Sequence, residues 1–227
     1  KNWELIFWDN CSKDQSKKIF LKFKDKRFKY FKNKEFKNLY DSRNLAIKKV
    51  KGKFVCFLDT DDFWKKEKLS KQIKLFTKDK NLKFVYSNFF QFNQDTKISK
   101  IFKNYTLPEG KISQQIINDY CIGVVTVMIE SKVLKKNFFN KKFNIIGDFD
   151  LFFKLSKKLD IKCLQEPLAY YRIHHENYSK LRLIEYLDEI NIWLKKNSNT
   201  GYSLSGVRKL KYKLLIKIFL KKIFDFF

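Results

Sequence analysis

Apolar and polar positions cut the first ninety residues into short strands and helices taken in turn. "WELIFW" (3–8) is an apolar run that stops at the polar turn "DNCSKDQS". Ile19, Phe20 and Phe23 recur at helical spacing within 15–24, and "RFKYF" (27–31) alternates as a half-buried strand does. "SRNLAIKKV" (42–50) predicts a helix with Leu45, Ala46 and Val50 on its apolar side, closed by Gly52. "FVCFL" (54–58) has the length and bounds of a buried strand. A second amphipathic helix is predicted over 65–76 from Leu69, Ile73 and Phe76, and a further strand over 84–90, "FVYSNFF". Strands alternating with helices predict an α/β layered fold, with a largely parallel sheet in this half.

From about 95 to 145 the pattern loosens. Pro108 and Gly110 mark a turn, 111–118 reads as helix and "GVVTVMI" (123–129) as strand. "GDFDLFFKLSKKL" (147–159) predicts a helix with Leu151, Phe152, Leu155 and Leu159 on one side. After Tyr178 the chain turns helical, polar and basic, which divides it into 1–178 and a C-terminal segment, 179–227. The closing stretch "VRKLKYKLLIKIFLKKIFDFF" places Val207, Leu210, Leu214, Ile218 and Phe219 on one side, with lysines around the rest. Two readings of this tail (204–227) stand side by side: a basic interfacial helix on an anionic membrane, or a helix packed on the preceding domain.

Composition narrows the classes. With 44% hydrophobic residues and 25 Phe in 227, a sizeable core is available and global disorder is excluded. A formal charge of +26 points to an anionic partner. The basic residues are overwhelmingly lysine, however, and Lys, Phe, Asn and Ile share A/T-rich codons, so base composition explains much of the surplus. Arginine, the usual reader of guanine, is scarce, which speaks against a specific nucleic-acid role. The four cysteines (Cys11, Cys56, Cys121, Cys163) lie far apart without zinc-ligand spacing and suit a reducing cytoplasm. No run of 18 uncharged apolar residues is present.

The chemistry concentrates in "FVCFLDTDDFW" (54–64), where Asp59, Asp61 and Asp62 follow the end of an apolar strand. In open α/β sheets ligands bind beyond the carboxyl ends of strands. Hard divalent cations take one or two carboxylates and let substrate phosphates complete the shell. Capping of the next helix accounts for one carboxylate, not three.

"WELIFWDNCSKDQS", "SRNLAIKKVKGKFVCFLDTDDFW", "GDFDLFFKLS" and "YRIHHENYS", in this order, resemble the family 2 glycosyltransferases over about residues 3–180. These are inverting enzymes of the GT-A, nucleotide-diphospho-sugar transferase fold: a mainly parallel sheet with flanking helices, here with a C-terminal helical tail. The resemblance implies Mn2+ or Mg2+, a nucleotide-diphospho-sugar donor and a glycan or lipid-linked acceptor, with the protein cytoplasmic or peripheral at the inner face of the membrane. It implies that Asp61 and Asp62 form the D-x-D pair, Asp61 toward the sugar and Asp62 at the metal, with Asp59 supporting the loop. It assigns Asp9 and Asn10 to the base, Arg43 to the phosphates (a plain surface cation being the alternative), and Arg172 and His174, rather than His175, to the diphosphate. Asp148 would be the catalytic base, with Gly147 admitting a close approach and Asp150 behind it or paired with Lys154. It also implies a first strand ahead of Lys1, between the 3–8 and 54–58 strands. Without it, those two would pair directly or leave an open slot. The rival readings are a nucleotidyltransferase and a basic nucleic-acid or membrane-binding module without catalysis.

Overall fold

The computed structural model describes residues 2–224. Lys1 and 225–227 lie outside the described residues, so the tail is followed only to 224. The chain begins with β1 (Leu5–Asp9), α1 (Ser16–Phe20) and β2 (Phe28–Lys32). β1 and β2 pair in parallel, from Leu5 opposite Phe28 to Asp9 opposite Lys32, and form a two-stranded sheet of their own. α2 (Leu39–Lys49) follows, started by Asn38, whose side-chain oxygen accepts from the Asp41 N–H at 2.7 Å.

The predicted strand over 54–58 is shorter than expected. Only Phe54–Val55 (β3) pairs, and Phe63–Trp64 (β4) forms the next ladder after the acidic loop. Cys56, Phe57 and Leu58 leave the sheet to carry the chain out to Asp59, with Leu58 exposed. α3 (Lys68–Lys78) then leads to the long β5 (Phe84–Asn93) and its edge partner β6 (Ser99–Ile101). α4 (Ser113–Asn118) and a 3-10 turn at Val124–Thr126 precede β7 (Met128–Glu130) and α5 (Ser131–Lys136). α6 (Gly147–Ser156) returns the chain to β8 (Ile161–Ile173), and α7 (Tyr178–Leu181), α8 (Leu183–Lys196) and α9 (Ser205–Phe224) complete it.

The larger sheet runs β3-β7-β5-β8-β4, with β6 on β5. Its long ladder, β5 with β8, is parallel, while the two- and three-residue ladders at its margins are antiparallel. Among the described residues β1 and β3 do not pair. The Glu4 carboxylate bridges them instead, accepting from the N–H groups of Lys51 and Gly52 at 2.7 and 2.9 Å while meeting Lys29. Of the two arrangements expected for these strands, the unpaired one is present.

α6 is buried nearly all round, as its sequence with five apolar residues in ten demands. Phe152 meets Phe84 of β5 at 5.2 Å between ring centres, while Phe149 and Phe153 pack on Trp193 of α8 at 4.8 and 5.2 Å. The one-sided helix expected over 147–159 therefore has a second apolar face, covered by α8. α9 belongs to the same core: Val207 and Leu214 are buried in it and Leu210 packs against it. Its start is pressed on the end of α4, since a Cβ on Gly206 would lie 2.3 Å from the Ile117 carbonyl oxygen.

Candidate functional site

Two carboxylate groups dominate the polar interior, and the fold builds them differently. The first sits on the loop between β3 and β4 and the end of β8. Arg172 clasps this loop from β8: its backbone N–H donates to Asp62 Oδ1 at 2.8 Å and its Nε to the Asp61 carbonyl at 2.5 Å. The guanidinium carbon lies 5.5 Å from both the Phe63 and Phe92 ring centres, held between two aromatic faces. His174 Nε2 stands 3.0 Å from Asp61 Oδ2. The imidazole is steadied by its own backbone, where the His174 N–H donates to Asn177 Oδ1 at 2.8 Å.

Asp59 does not join this pair. A single Arg43 nitrogen reaches both its oxygens, at 2.6 and 2.7 Å. Arg43 is buried, and although burial lowers its pKa, Asp59 more than offsets this and the guanidinium remains firmly charged. Asp62 contrasts with it. Burial, reinforced by repulsion from Asp59 and Asp61, pushes its carboxyl up to about 7 despite the Arg172 contacts. Such a carboxyl lacks enough positive charge around it. A divalent cation would supply that charge, and Asp61, Asp62 and the His174 imidazole are donors suited to it. Among the described residues no three such side chains are preassembled to hold a metal ion.

The second group is Asp148 at the first turn of α6. No side chain of its own segment caps this helix. Tyr40 donates to Asp148 Oδ1 and Tyr120 to Oδ2, each at 3.0 Å. The single Tyr40 hydroxyl hydrogen is shared between Asp148 and the Ile145 carbonyl, which also lies at 3.0 Å, and the ring is held over Gly147. A Cβ at position 147 would lie 2.4 Å from that ring, so only glycine fits there. Burial raises the Asp148 pKa, while Arg43 and the two hydroxyls pull it back without cancelling the rise. The turn before it is held from α8. Glu189, nearly fully buried, accepts from the N–H groups of Asn144, Ile145 and Ile146, the last two at 3.0 Å. Of these, the Ile146 N–H belongs to the start of α6, where it has no partner within the helix, and the other two precede it.

The Tyr171 phenol is raised to about 12, first by burial and then by Asp62, Asp61, Asp59 and Asp148 together. Arg43 links the two groups in space: it grips Asp59, and its guanidinium carbon lies 5.4 Å from the ring centre of Tyr40, which donates to Asp148. Residues from four distant segments, Arg43, Asp59 to Asp62, Asp148, and Arg172 with His174, thus meet in one place. Asp150 stands behind it, buried, with one oxygen on Lys154 and Oδ1 without a partner.

Asp9 and Asn10 are placed at the end of β1, in the smaller sheet. Burial would raise Asp9, but Tyr30 and Ser12 donate to it and bring its pKa below the ordinary value. The Asn10 amide is engaged at both ends: Nδ2 donates to the Lys37 carbonyl at 2.6 Å, and Oδ1 accepts from Asn33 and from the Lys37 N–H. In this state the pair organises the 33–37 loop. Tyr40, Tyr120 and Glu189 are the residues that sequence reasoning missed. The available signals were Tyr40 lying one turn before Arg43 and Glu189 interrupting the apolar side of "YLDEINIW".

Comparison with known proteins identifies the family and the fold. The family model described as glycosyl transferase family 2 matches residues 1–154. A curated relative from Escherichia coli, UDP-Glc:alpha-D-GlcNAc-diphosphoundecaprenol beta-1,3-glucosyltransferase WfgD, is 31% identical over 163 residues, 72% of this chain and 62% of the relative. The chain thus spans somewhat under two thirds of that protein. Among solved structures, S. aureus TarS 1–349 in complex with UDP-GlcNAc superposes with a TM-score of 0.66 at 18% identity, over 93% of this chain and 62% of that one. The mannosyltransferase PcManGT from Pyrobaculum calidifontis, in complex with GDP-Man and Mn2+, gives 0.62 at 10% identity, over 92% and 60%. The shared fold is GT-A.

Proposed function

We propose, since this chain belongs to glycosyl transferase family 2, that its protein transfers a sugar from a nucleotide-diphospho-sugar to an acceptor hydroxyl with inversion, in the assembly of a cell-surface polysaccharide. The observation that carries this is the meeting of Asp61, Asp62, Arg172 and His174 with Asp148 through Asp59, Arg43 and Tyr40. The first four form the diphosphate end, and Asp148 the acceptor end. Asp9 and Asn10 stand for the base, with the 33–37 loop they hold.

Asp61 and Asp62 would hold Mn2+ or Mg2+, which stabilises charge on a departing diphosphate as a Lewis acid. Arg172 and His174 offer donors to the same oxygens. Asp148 accepts the acceptor hydroxyl proton as that oxygen attacks the anomeric carbon. The bond to the diphosphate breaks on the opposite face, so the configuration inverts. A pKa raised by burial makes the carboxylate a better base than an exposed one, and the two tyrosine hydroxyls fix its orientation. The name of the Escherichia coli relative specifies a diphosphoundecaprenol-linked acceptor. A lipid-linked acceptor is the reading taken for this chain as well, with the reaction at a membrane surface.

The test is Asp148→Asn in the full-length protein, with turnover and donor affinity measured together. Turnover is expected to fall about 10²- to 10⁴-fold, while donor and cation binding persist, because Asn keeps the shape but takes no proton. Near-normal turnover would remove Asp148 from the base role and leave Asp150 as the next carboxylate.

A further inference from the structure

The face of the C-terminal helix singled out by its sequence pattern is not the free one. Val207, Leu210, Leu214 and Ile218 turn inward, and the first three pack on the core. A second apolar series runs along the opposite side: Tyr212, Leu215, Ile216, Phe219, Leu220 and Ile223, spaced by three and four residues. All six are exposed, Tyr212 and Phe219 to 63% and Ile216 to 59%. Phe219, assigned to the inward side by the sequence pattern, belongs to this outer series. A helix packed at the edge of a domain ordinarily carries polar residues there.

The charges beside this stripe are all of one sign. Lys213 and Lys217 lie along one flank and Lys211 and Lys222 along the other, and no acidic residue occurs from Ser205 to Phe224. Two copies of the stripe laid face to face would bring lysine rows against lysine rows, which disfavours self-association. A nucleic acid would meet the lysines but leave the apolar stripe uncovered. No described helix is long and apolar enough to cross a membrane.

We infer that the Tyr212–Ile223 stripe lies in the interface of an anionic bilayer, apolar side chains among the acyl chains and flanking lysines at the head groups. This rests on the reading that the acceptor is membrane-borne, and it fixes which surface faces the lipid. The inward face of α9 then anchors the domain to the helix while the outward face anchors the helix to the membrane. One helix thereby serves both readings of the tail, each with its own face.

The experiment is flotation of the full-length protein with vesicles of pure phosphatidylcholine or of phosphatidylcholine with phosphatidylglycerol, comparing the wild type with Ile216→Ser/Phe219→Ser. Melting temperature, sedimentation state and turnover of a soluble acceptor are recorded alongside. The wild type is expected to float only with the anionic vesicles. The double variant is expected to bind them at least about tenfold more weakly, with melting and soluble turnover unchanged. Equal binding by both proteins would overturn the stripe as the contact while sparing a purely electrostatic membrane role. Failure of the wild type to float with either vesicle would overturn the membrane reading and this inference together. A lower melting temperature, or loss of a wild-type oligomer, would show that the stripe packs on protein and would equally overturn it.

Discussion

Asp62 and Asp148 are the same residue type in the same site, and the fold treats them in opposite ways. Asp62 sits among charges: two like ones on its own loop and one guanidinium behind it. At Asp148 the Arg43 guanidinium opposes burial first, then the Phe149 N–H and a tyrosine hydroxyl on each oxygen. Burial raises the pKa of both. At Asp62 the burial and the like charges are left uncompensated, as the proposed cation site requires. At Asp148 the compensation is built in, and it stops short of cancelling the rise, which leaves a carboxylate that is oriented and still basic. Environment rather than residue identity separates the two carboxyls, and the proposed roles rest on that separation.

The sharpest way to break this comparison is Asp62→Asn. Stabilisation of the full-length protein by a nucleoside diphosphate with Mn2+ should vanish, and turnover should drop about 10³-fold. The unliganded protein should respond the other way. Because the folded Asp62 carboxyl titrates near 7, above its unfolded value, its stability contribution is present in acid and lost as pH rises through about 7. Thermal melts without metal should therefore show the Asp62→Asn variant more stable than wild type above pH 7, by about 1–3 kcal/mol, and no different below the ordinary carboxylate range. In the wild type, Mn2+ affinity should climb with pH and level off above about 7, which titration calorimetry at several pH values would show.

A smaller effect tests the built-in side. Glu189→Gln turns an NH2 group toward backbone donors that had a carboxylate, so the 144–146 turn loosens and Asp148 shifts. We expect a loss of about 1–3 kcal/mol in stability and a fall of about 10- to 100-fold in kcat, with donor KM nearly unchanged. A rise in KM with normal kcat would mean that Glu189 serves the donor side. The mildest change is Tyr120→Phe. Removing one donor should raise the Asp148 pKa further, so the acid limb of the kcat profile moves to higher pH. The plateau rate should fall about three- to tenfold. An unmoved profile would separate Tyr120 from the base.

Much of this was visible before the fold. The strand and helix order, the acidic loop, Asp148 and the Arg172–His174 segment could be placed from pattern and resemblance, because each lies at an element's end where a polar residue interrupts an apolar run. Partners were less accessible. The Asp59–Arg43 pair joins two residues that had been given separate roles, and nothing in their spacing says that they touch. Asn10 is implied for a base by its position after β1, but nothing in its spacing says that its amide also holds Asn33 and Lys37. The second faces of α6 and α9 were hidden for a shared reason. A period of 3.6 shows that a helix has an apolar side, but not what covers the others. Trp193 does so for α6, and for α9 no described residue does.

The clamp of Glu189 on residues 144–146 has a consequence for how the molecule is made. When Asp148 emerges during synthesis, its turn has no carboxylate to hold it, and Phe149 and Phe153 have no Trp193 to cover them. β8 must also travel back to β5 across the whole of α6 before the Arg172 segment can reach Asp61 and Asp62. Contacts so far apart in the chain form late and slowly. Until the stretch after residue 189 has left the ribosome, the nascent chain carries the carboxylates without the geometry that gives them their separate chemistries, and with apolar rings open to chaperones.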